Sequence, residues 1–337
     1  MPQKSTNKTP IRKAALLSVA PMMDWTDRHC RYFHRQLSKN SLLYTEMVTA
    51  PAIINGDRER LLGFDATEHP VAVQLGGSNP AQLQQATAIS CDFGYDEVNL
   101  NCGCPSDRVQ SGYFGAVLME KPDLVAECVS EMKAAANVEI TVKCRIGVDD
   151  QDPQTVLPNF LAKVSAAGVT RFTIHARKAW LQGLSPKENR DIPPLDYDIV
   201  HQMKAEFPHL HISINGGVTT LEQASGLIEQ GLDGVMIGRA AYHQPADILC
   251  DADELIFSDE KGQGVDAAIQ AMLPYIENHL LKGGRLNQIT RHMLGAFAGK
   301  PGARRWRRHL SEFAHKDGAG PETVLEALAK MREIETA

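Results

Sequence analysis

No stretch of this chain reaches the roughly 18 to 20 consecutive apolar residues that a bilayer-spanning helix requires, so nothing in it reads as a membrane anchor. Its first residues, "MPQKSTNKTPIRKAA", are basic and polar and lack the apolar centre of a signal peptide. Residues 1–13 therefore read as a disordered lead-in to a cytoplasmic protein. Cysteine is present without order. Seven cysteines stand at positions 30, 91, 102, 104, 128, 144 and 250, an odd and irregularly spaced set that is poor material for a secreted disulfide framework. Acid is missing over one long window. Between Asn278 and Ser311 there is no Asp or Glu, while Lys282, Arg285, Arg291, Lys300, Arg304, Arg305, Arg307 and Arg308 all fall there.

What is present bounds the fold. The 337 residues suffice for one large α/β domain and a smaller one, or for two ordinary domains, and 43% apolar content supports a sizeable core. The net charge of −6 argues against an indiscriminate nucleic-acid binder, but it is unevenly spread. From residue 262 onward 11 Lys and Arg face 8 Asp and Glu, a net of +3, so the preceding residues carry −9.

Eight β-rich runs recur: "LLSVAPMMD" (16–24), "LLYTEMV" (42–48), "VAVQLGG" (71–77), "EVNLNCGCP" (97–105), "ITVKCRIG" (140–147), "RFTIHARK" (171–178), "HISINGG" (211–217) and "GVMIGRA" (234–240). Most are apolar nearly throughout, as parallel strands covered on both faces should be. Helical patterns lie between several of them, at 79–91, 121–136, 157–168 and 220–231, and the last two end at a glycine, the usual helix stop. Eight such units predict a (β/α)₈ TIM barrel over residues 14–260; a doubly wound sheet is the competing arrangement. "KGQG" then reads as a linker, and residues 261–337 as a smaller, basic, all-helical domain.

In a barrel, the C-terminal ends of the strands line one mouth. Those ends are "PMMD", "TEMV", "QLGG", "NCGCP", "KCRIG", "HARK", "NGG" and "IGRA", where polar, charged and glycine residues follow apolar strand bodies. The glycine-rich ends of the seventh and eighth strands, with Arg239, suit a phosphate group held by backbone N–H groups; the alternative is a pair of tight turns without a ligand. Lys143 and His175 end the fifth and sixth strands. A lysine on an otherwise buried strand needs a partner, either an anionic cofactor edge or an internal carboxylate. Gln74 ends the third strand, where its amide can meet a polar ring edge.

Cys102 and Cys104 stand one residue apart. A zinc site would need a second close pair, which is missing. A disulfide two residues apart would be strained. Cys102 continues the strand body and reads as a small buried hydrophobe, whereas Cys104, between Gly103 and Pro105, falls on the loop facing the mouth. A free thiol, with a pKa of roughly 8.5, stays protonated at neutral pH and can serve as a general acid.

The segments "APMMDWTDRHCRYF", "NLNCGCPSDRV", "VKCRIGVDD", "IHARKA", "INGGV" and "MIGRAAY", in this order, resemble the tRNA-dihydrouridine synthases, in particular the bacterial A-type subfamily. The resemblance runs from about Ala20 to Pro245, and "GKPGARRWRRHLSE" extends it. It implies an enzyme that reduces the C5–C6 double bond of uridines at or next to position 20 in the tRNA D-loop, with FMN as cofactor and NADPH or NADH as reductant. It implies that Pro21, Met22 and Met23 lie under the flavin ring, that Gln74, Lys143 and His175 surround ring and ribityl chain, and that Asn215, Gly216, Gly217, Gly238 and Arg239 hold the phosphate. Cys104 matches the catalytic acid, and Asn101, Lys187, Arg190, Arg304 and Arg307 match tRNA contacts. A monomer without metal or membrane is the expected state. Two other readings stand beside it: a flavin barrel reducing a small molecule, which has no use for the basic tail, and an RNA-binding protein built on an inactive barrel.

Overall fold

The computed structural model describes residues 10–106 and 113–333. Most of the expected lead-in lies outside the described residues, as does Arg108 of the loop following the fourth strand. Residues 11–13 do not extend the lead-in. Ile11–Ala14 form a helical turn, and Arg12 reaches Glu139 at 3.2 Å and Thr170 at 2.8 Å.

Eight parallel strands close into a barrel in sequence order: β1 (Leu17–Val19), β2 (Leu42–Thr49), β3 (Val71–Gly76), β4 (Glu97–Cys102), β5 (Glu139–Arg145), β6 (Arg171–His175), β7 (His211–Asn215) and β8 (Gly234–Ile237). β1 pairs with β8 through Val19 and Ile237, which closes the ring. The expected helices appear as Pro80–Asp92, Pro122–Ala135, Pro153–Ala166 and Leu221–Glu229. Their starts share a chemistry: proline in the first turn of three of them, and the side chain of Asn79, Asp152 or Thr220 accepting a backbone N–H at three. Each helix buries one face against the outside of the sheet, where Val98, Leu100, Val142, Cys144, Phe172 and Ile174 point into one continuous apolar layer.

Alternation along the strands sends the intervening residues into the barrel. There the two halves differ. On β8, β1, β2 and the start of β3 the interior holds Met236, Ala20, Leu42, Tyr44 and Ala72, an apolar plug joined by Ala14 and Ala15 of the N-terminal turn, with Ser18 and, at the end of β3, Gln74 as buried polar members. On β4 to β7 it holds Glu97, Asn99, Asn101, Thr141, Lys143, Arg145, Arg171, Thr173, His175, Ser213 and Asn215. A buried polar wall costs stability unless its groups find partners. At its base Glu97 pairs with Arg171 and accepts from Tyr44 Oη at 2.6 Å.

After β8 only helices follow among the described residues, including Gly264–Leu281, Leu286–Thr290, Ala303–Phe313 and Pro321–Arg332. Trp306 is fully buried between them, and its indole N–H donates to the Met293 carbonyl at 2.9 Å. No helix of the described residues is long and apolar enough to cross a membrane.

Candidate active site

β4 ends at Cys102, which is fully buried on the outer, helix-facing side. Gly103 and Pro105 then take the chain out of the pleat, so Cys104 sits on the rim with a half-buried thiol, 3.7 Å from Ser106 Oγ. Two side chains hold this loop. Asn101 Oδ1 accepts the N–H groups of Gly103 (3.1 Å) and Cys104 (2.9 Å). Arg145, from β5, donates to the carbonyls of Gly103 (3.1 Å), Lys178 (3.0 Å) and Asn189 (2.9 Å), so it ties the β4 loop to the loop after β6.

Lys143 lies one strand over, and its ammonium donates to Asn215 Oδ1 at 3.0 Å. Among the described residues no carboxylate pairs with it, so the internal salt bridge is not found. Burial, and after it the nearby Arg145, push this amine down to about 8. His175 is 9% exposed, and burial followed by Arg145, Lys143, Arg177 and Arg190 hold its imidazole well below the usual histidine range. At β7, Asn215 Nδ2 donates to the Met236 carbonyl at 2.8 Å, which orients the oxygen toward Lys143. Gly216 and Gly217 follow at φ of 110° and 75°. A Cβ at Gly216 would stand 2.6 Å from the His175 ring, and one at Gly217 2.9 Å from Tyr197 Oη, so the close approach as well as the φ demands glycine. Gly238 ends β8 next to the β1 loop, where a Cβ would meet Ala20 and the Met22 sulfur at 3.5 Å. Arg239 is exposed and paired with Asp191 at 2.8 Å.

On the β1 loop, Pro21 and Met22 are partly buried and Met23 is 56% exposed at the mouth. Trp25 stacks on Tyr242, with ring centres 4.5 Å apart. Asp27, at the start of helix Arg28–Leu37, accepts from Arg291 (2.7 Å) and His292 (3.0 Å) and so fastens the helical region beside the mouth. Lys187 and Arg190 are exposed on the β6 loop. On helix Ala303–Phe313 the arginines divide: Arg305 and Arg308 are paired with Glu333 and Glu312, whereas Arg304 and Arg307, three residues apart, face solvent without a carboxylate partner among the described residues.

Two of the expected site residues have their amides engaged within the protein. Asn101, expected to touch RNA, is 8% exposed; its oxygen holds the Cys104 turn and its Nδ2 donates to Gln74 Oε1 at 2.8 Å. Gln74, expected against a ring, also has both amide ends engaged, since its Nε2 donates to Asn99 Oδ1 at 2.8 Å. Arg145 was missed, although a second basic residue two positions after Lys143 on one strand must share its inward face. Asp27 and Tyr197, which donates to the Gly216 carbonyl at 2.6 Å, carry no sequence signal of their role.

The donor set fits an anionic, planar cofactor with a phosphate. Five cations, Lys143, Arg145, Arg177, Arg190 and Arg239, surround His175 or the β8 end, where Gly238 leaves a Cβ's space at ordinary contact distance from its neighbours. An eight-stranded parallel barrel with a cationic mouth at its strand ends belongs to the TIM-barrel class. Two solved structures share the fold: morphinone reductase (TM-score 0.52, 12% identity, covering 77% of this chain and 92% of that one) and an old yellow enzyme homologue from Zymomonas mobilis (TM-score 0.53, 11% identity, 75% and 92%).

The chain belongs to the dihydrouridine synthase family, whose model, described as "Dihydrouridine synthase (Dus)", matches residues 18–333. It is similar to proteins called tRNA-dihydrouridine(20/20a) synthase. That of Shewanella oneidensis is 59% identical over 91% of each chain. That of Vibrio cholerae is 59% identical over 94% of this chain and 96% of its own, and that of Escherichia coli K12 is 56% identical over 95% and 93%.

Proposed function

We propose that the protein is an FMN-dependent tRNA-dihydrouridine synthase, a cytoplasmic monomer that reduces uridine at position 20, 20a or both in the tRNA D-loop. The observation that carries this reading is the rim thiol of Cys104, held by Asn101 and Arg145, beside the carboxylate-free Lys143–Asn215–His175 cluster on the neighbouring strands. Similarity over nearly the whole chain to synthases named for positions 20 and 20a supports it.

In this reading Pro21, Met22 and Met23 form the floor under the flavin, and Lys143, with Gln74 and His175, meets its electron-rich edge. Gly216, Gly217, Gly238 and Arg239 take the phosphate. When bound, FMN supplies hydride to C6 of uracil, drawn from NADPH or NADH. Cys104 holds a proton at Sγ and gives it to C5, which completes addition of two hydrogens across the bond. The cationic wall favours charge that builds on the ring system, as preorganised electrostatics do. The target base must leave its stack to reach the mouth, and Lys187, Arg190, Arg304 and Arg307 neutralise tRNA phosphates around it. Each phosphate contact contributes a slope of about 0.7–0.9 in log affinity against log salt. Replacing Arg304 and Arg307 together by alanine is therefore expected to lower the slope of tRNA binding by about 1.4–1.8, measured by filter binding from low to high salt; an unchanged slope removes both from the interface.

Lys143 gives cofactor binding a pH dependence of definite sign. An anion docked on it favours the charged amine, so the complex holds the proton to higher pH than the free protein, in which the amine titrates near 8. Above that pH binding must recapture a proton, and affinity for FMN is expected to fall by up to about tenfold per pH unit. Fluorescence titration from pH 7 to 10 reads this, with Lys143→Met expected to bind weakly and show no such slope.

The function itself is tested anaerobically. Protein loaded with FMN is reduced by NADPH, then mixed with tRNA lacking dihydrouridine. Rapid flavin reoxidation by that tRNA, and not by fully modified tRNA, is the expected result. Flavin that stays reduced would favour a small-molecule substrate, and failure to bind flavin would remove the reading altogether.

A further inference from the structure

One hydrogen-bonded chain runs along the polar wall from the base of the barrel to the catalytic loop. Thr141 donates its hydroxyl proton to Glu97, the carboxylate paired with Arg171. The Thr141 oxygen accepts from Asn99 Nδ2 at 2.8 Å, Asn99 Oδ1 accepts from Gln74 Nε2 at 2.8 Å, and Gln74 Oε1 accepts from Asn101 Nδ2 at 2.8 Å. Asn101 Oδ1 closes the run on the N–H groups of Gly103 and Cys104. The chain links β3, β4 and β5, and all five side chains from Glu97 to Asn101 are buried.

The two ends of this chain have fixed chemistry. A carboxylate in an ion pair can only accept, and backbone N–H groups can only donate. Three amides and one hydroxyl lie between, and only one orientation of each satisfies every link. Turning any amide over would set oxygen against oxygen or nitrogen against nitrogen at its neighbours, in a site where unpaired polar groups are costly. The carboxylate at the closed end thereby dictates which atom of Asn101 faces the Cys104 turn. An interior that only had to be filled would use apolar side chains, as the side built by β8, β1 and β2 does with Met236, Ala20 and Leu42.

We propose that Asn99 and Thr141 are positioning residues: anchored on Glu97, they fix the amide polarity of Gln74 and Asn101 and thereby hold the Cys104 loop in the pose for proton delivery. This rests on the proposed reduction of uridine with Cys104 as the acid. Neither residue touches substrate in this role. Each acts through Gln74 and then Asn101, which holds the rim turn at Gly103 and Cys104.

The test compares Thr141→Val, which keeps the shape and loses the hydroxyl, with Thr141→Ser, which keeps the hydroxyl. A double variant, Thr141→Val with Asn99→Leu, removes the Thr141–Asn99 bond whole and leaves Gln74 Nε2 as the one amide donor short of a partner, and it serves as the second variant if the single change does not fold. Hydrogen exchange of the Gly103 and Cys104 amides is read by mass spectrometry on FMN-loaded protein. The tRNA half-reaction, its solvent deuterium isotope effect and the NADPH half-reaction are followed separately. Thr141→Val, or the double variant, is expected to speed exchange at the two loop amides at least tenfold. It should slow reduction of tRNA about tenfold with a larger solvent isotope effect and leave flavin reduction within twofold, and Thr141→Ser should restore all three. Exchange unchanged at both amides would overturn the proposal. So would equal loss in both half-reactions, or exchange that rises alike along the whole of β4 and β5. The exchange readout needs no turnover, and wild-type protein is run in parallel. Wild type that fails to reduce tRNA would sink the functional reading, while the amide result would still judge the chain.

Discussion

Replacing Cys104 by alanine is expected to slow reduction of uridine in tRNA by about 10²–10⁴-fold, the range general-acid catalysis contributes, and to leave reduction of the bound flavin by NADPH unchanged. The alanine methyl fits the half-buried site of the thiol, and its backbone N–H still donates to Asn101, so the loop keeps its frame. What disappears is the proton source. Single-turnover rates of the two half-reactions, measured by flavin absorbance, separate the outcomes. Loss confined to the tRNA step is expected. A Cys104→Ala protein that reduces tRNA within tenfold of wild type would mean that solvent or another side chain protonates C5.

The second large effect is expected at Asp27, which is not among the residues proposed to meet cofactor or substrate. Its Oδ1 caps helix Arg28–Leu37 by accepting the N–H groups of His29 (2.9 Å) and Cys30 (3.0 Å). Its Oδ2 accepts from Arg291 and His292 of the helical region, and His292 in turn meets Tyr242 Oη at 3.2 Å, beneath the Trp25 stack. Burial pushes this carboxyl up, but the hydrogen bond and charge of His292 and the cap N–H of Cys30 more than offset it and hold the group well below the usual carboxylate range. A depressed carboxyl gives its full stabilisation at every pH above its unfolded value of about 3.9, and that contribution falls away as pH drops from there through the folded value. Asp27→Asn keeps an oxygen for the cap and removes the charge facing Arg291 and the fully buried His292. It is expected to cost about 2–3 kcal/mol of stability, read by urea unfolding at pH 7, with the difference from wild type shrinking below pH 4. The functional readout is an apparent KM for tRNA raised about tenfold or more, the equivalent of roughly 1.4 kcal/mol of misplaced binding surface, with flavin reduction by NADPH unaffected. An unchanged KM would show that the helical region holds its place over the mouth without this clamp.

Why some of this was legible and some was not follows from particular residues. All eight strands announce themselves, because runs such as "VAVQLGG" are apolar nearly throughout, "HISINGG" alternates polar residues with isoleucine, and both stop at glycine. Helix Arg28–Leu37, "RHCRYFHRQL", gives no such signal. It buries Arg31, His34 and Arg35; Arg31 is satisfied by Glu68 at 2.7 Å, and Arg35 by the carbonyls of Ser38, Ser41 and Pro70. A reader of hydrophobic period sees a polar segment there. Cys104, Lys143, His175 and the glycine pairs were legible because they break the apolar pattern at strand ends. The bonds of Asn99 and Thr141 were not, since alternation tells which way a side chain points and register alone tells what it meets. Asn101 shows the limit of resemblance: the position was found, and its hydrogen bonds, which turn it inward to the loop, came only with the fold.

The split of charge along the chain has a consequence for how the substrate arrives. A barrel of −9 joined to a tail of +3 gives the molecule a dipole as well as a net charge. The clamp at Asp27 ties Arg291 and His292 of the positive tail to the loop after β1, at the mouth of the barrel. For the proposed tRNA substrate, repulsion by the acidic barrel and attraction to the tail would turn the polyanion before contact, so a larger share of encounters would begin with the D-loop near the opening. Such steering acts over a distance of about 8–10 Å at physiological salt and collapses toward 3 Å at 1 M. Raising salt should therefore reduce the rate of association beyond what lost phosphate contacts explain, since the tRNA would also have to find its orientation by chance.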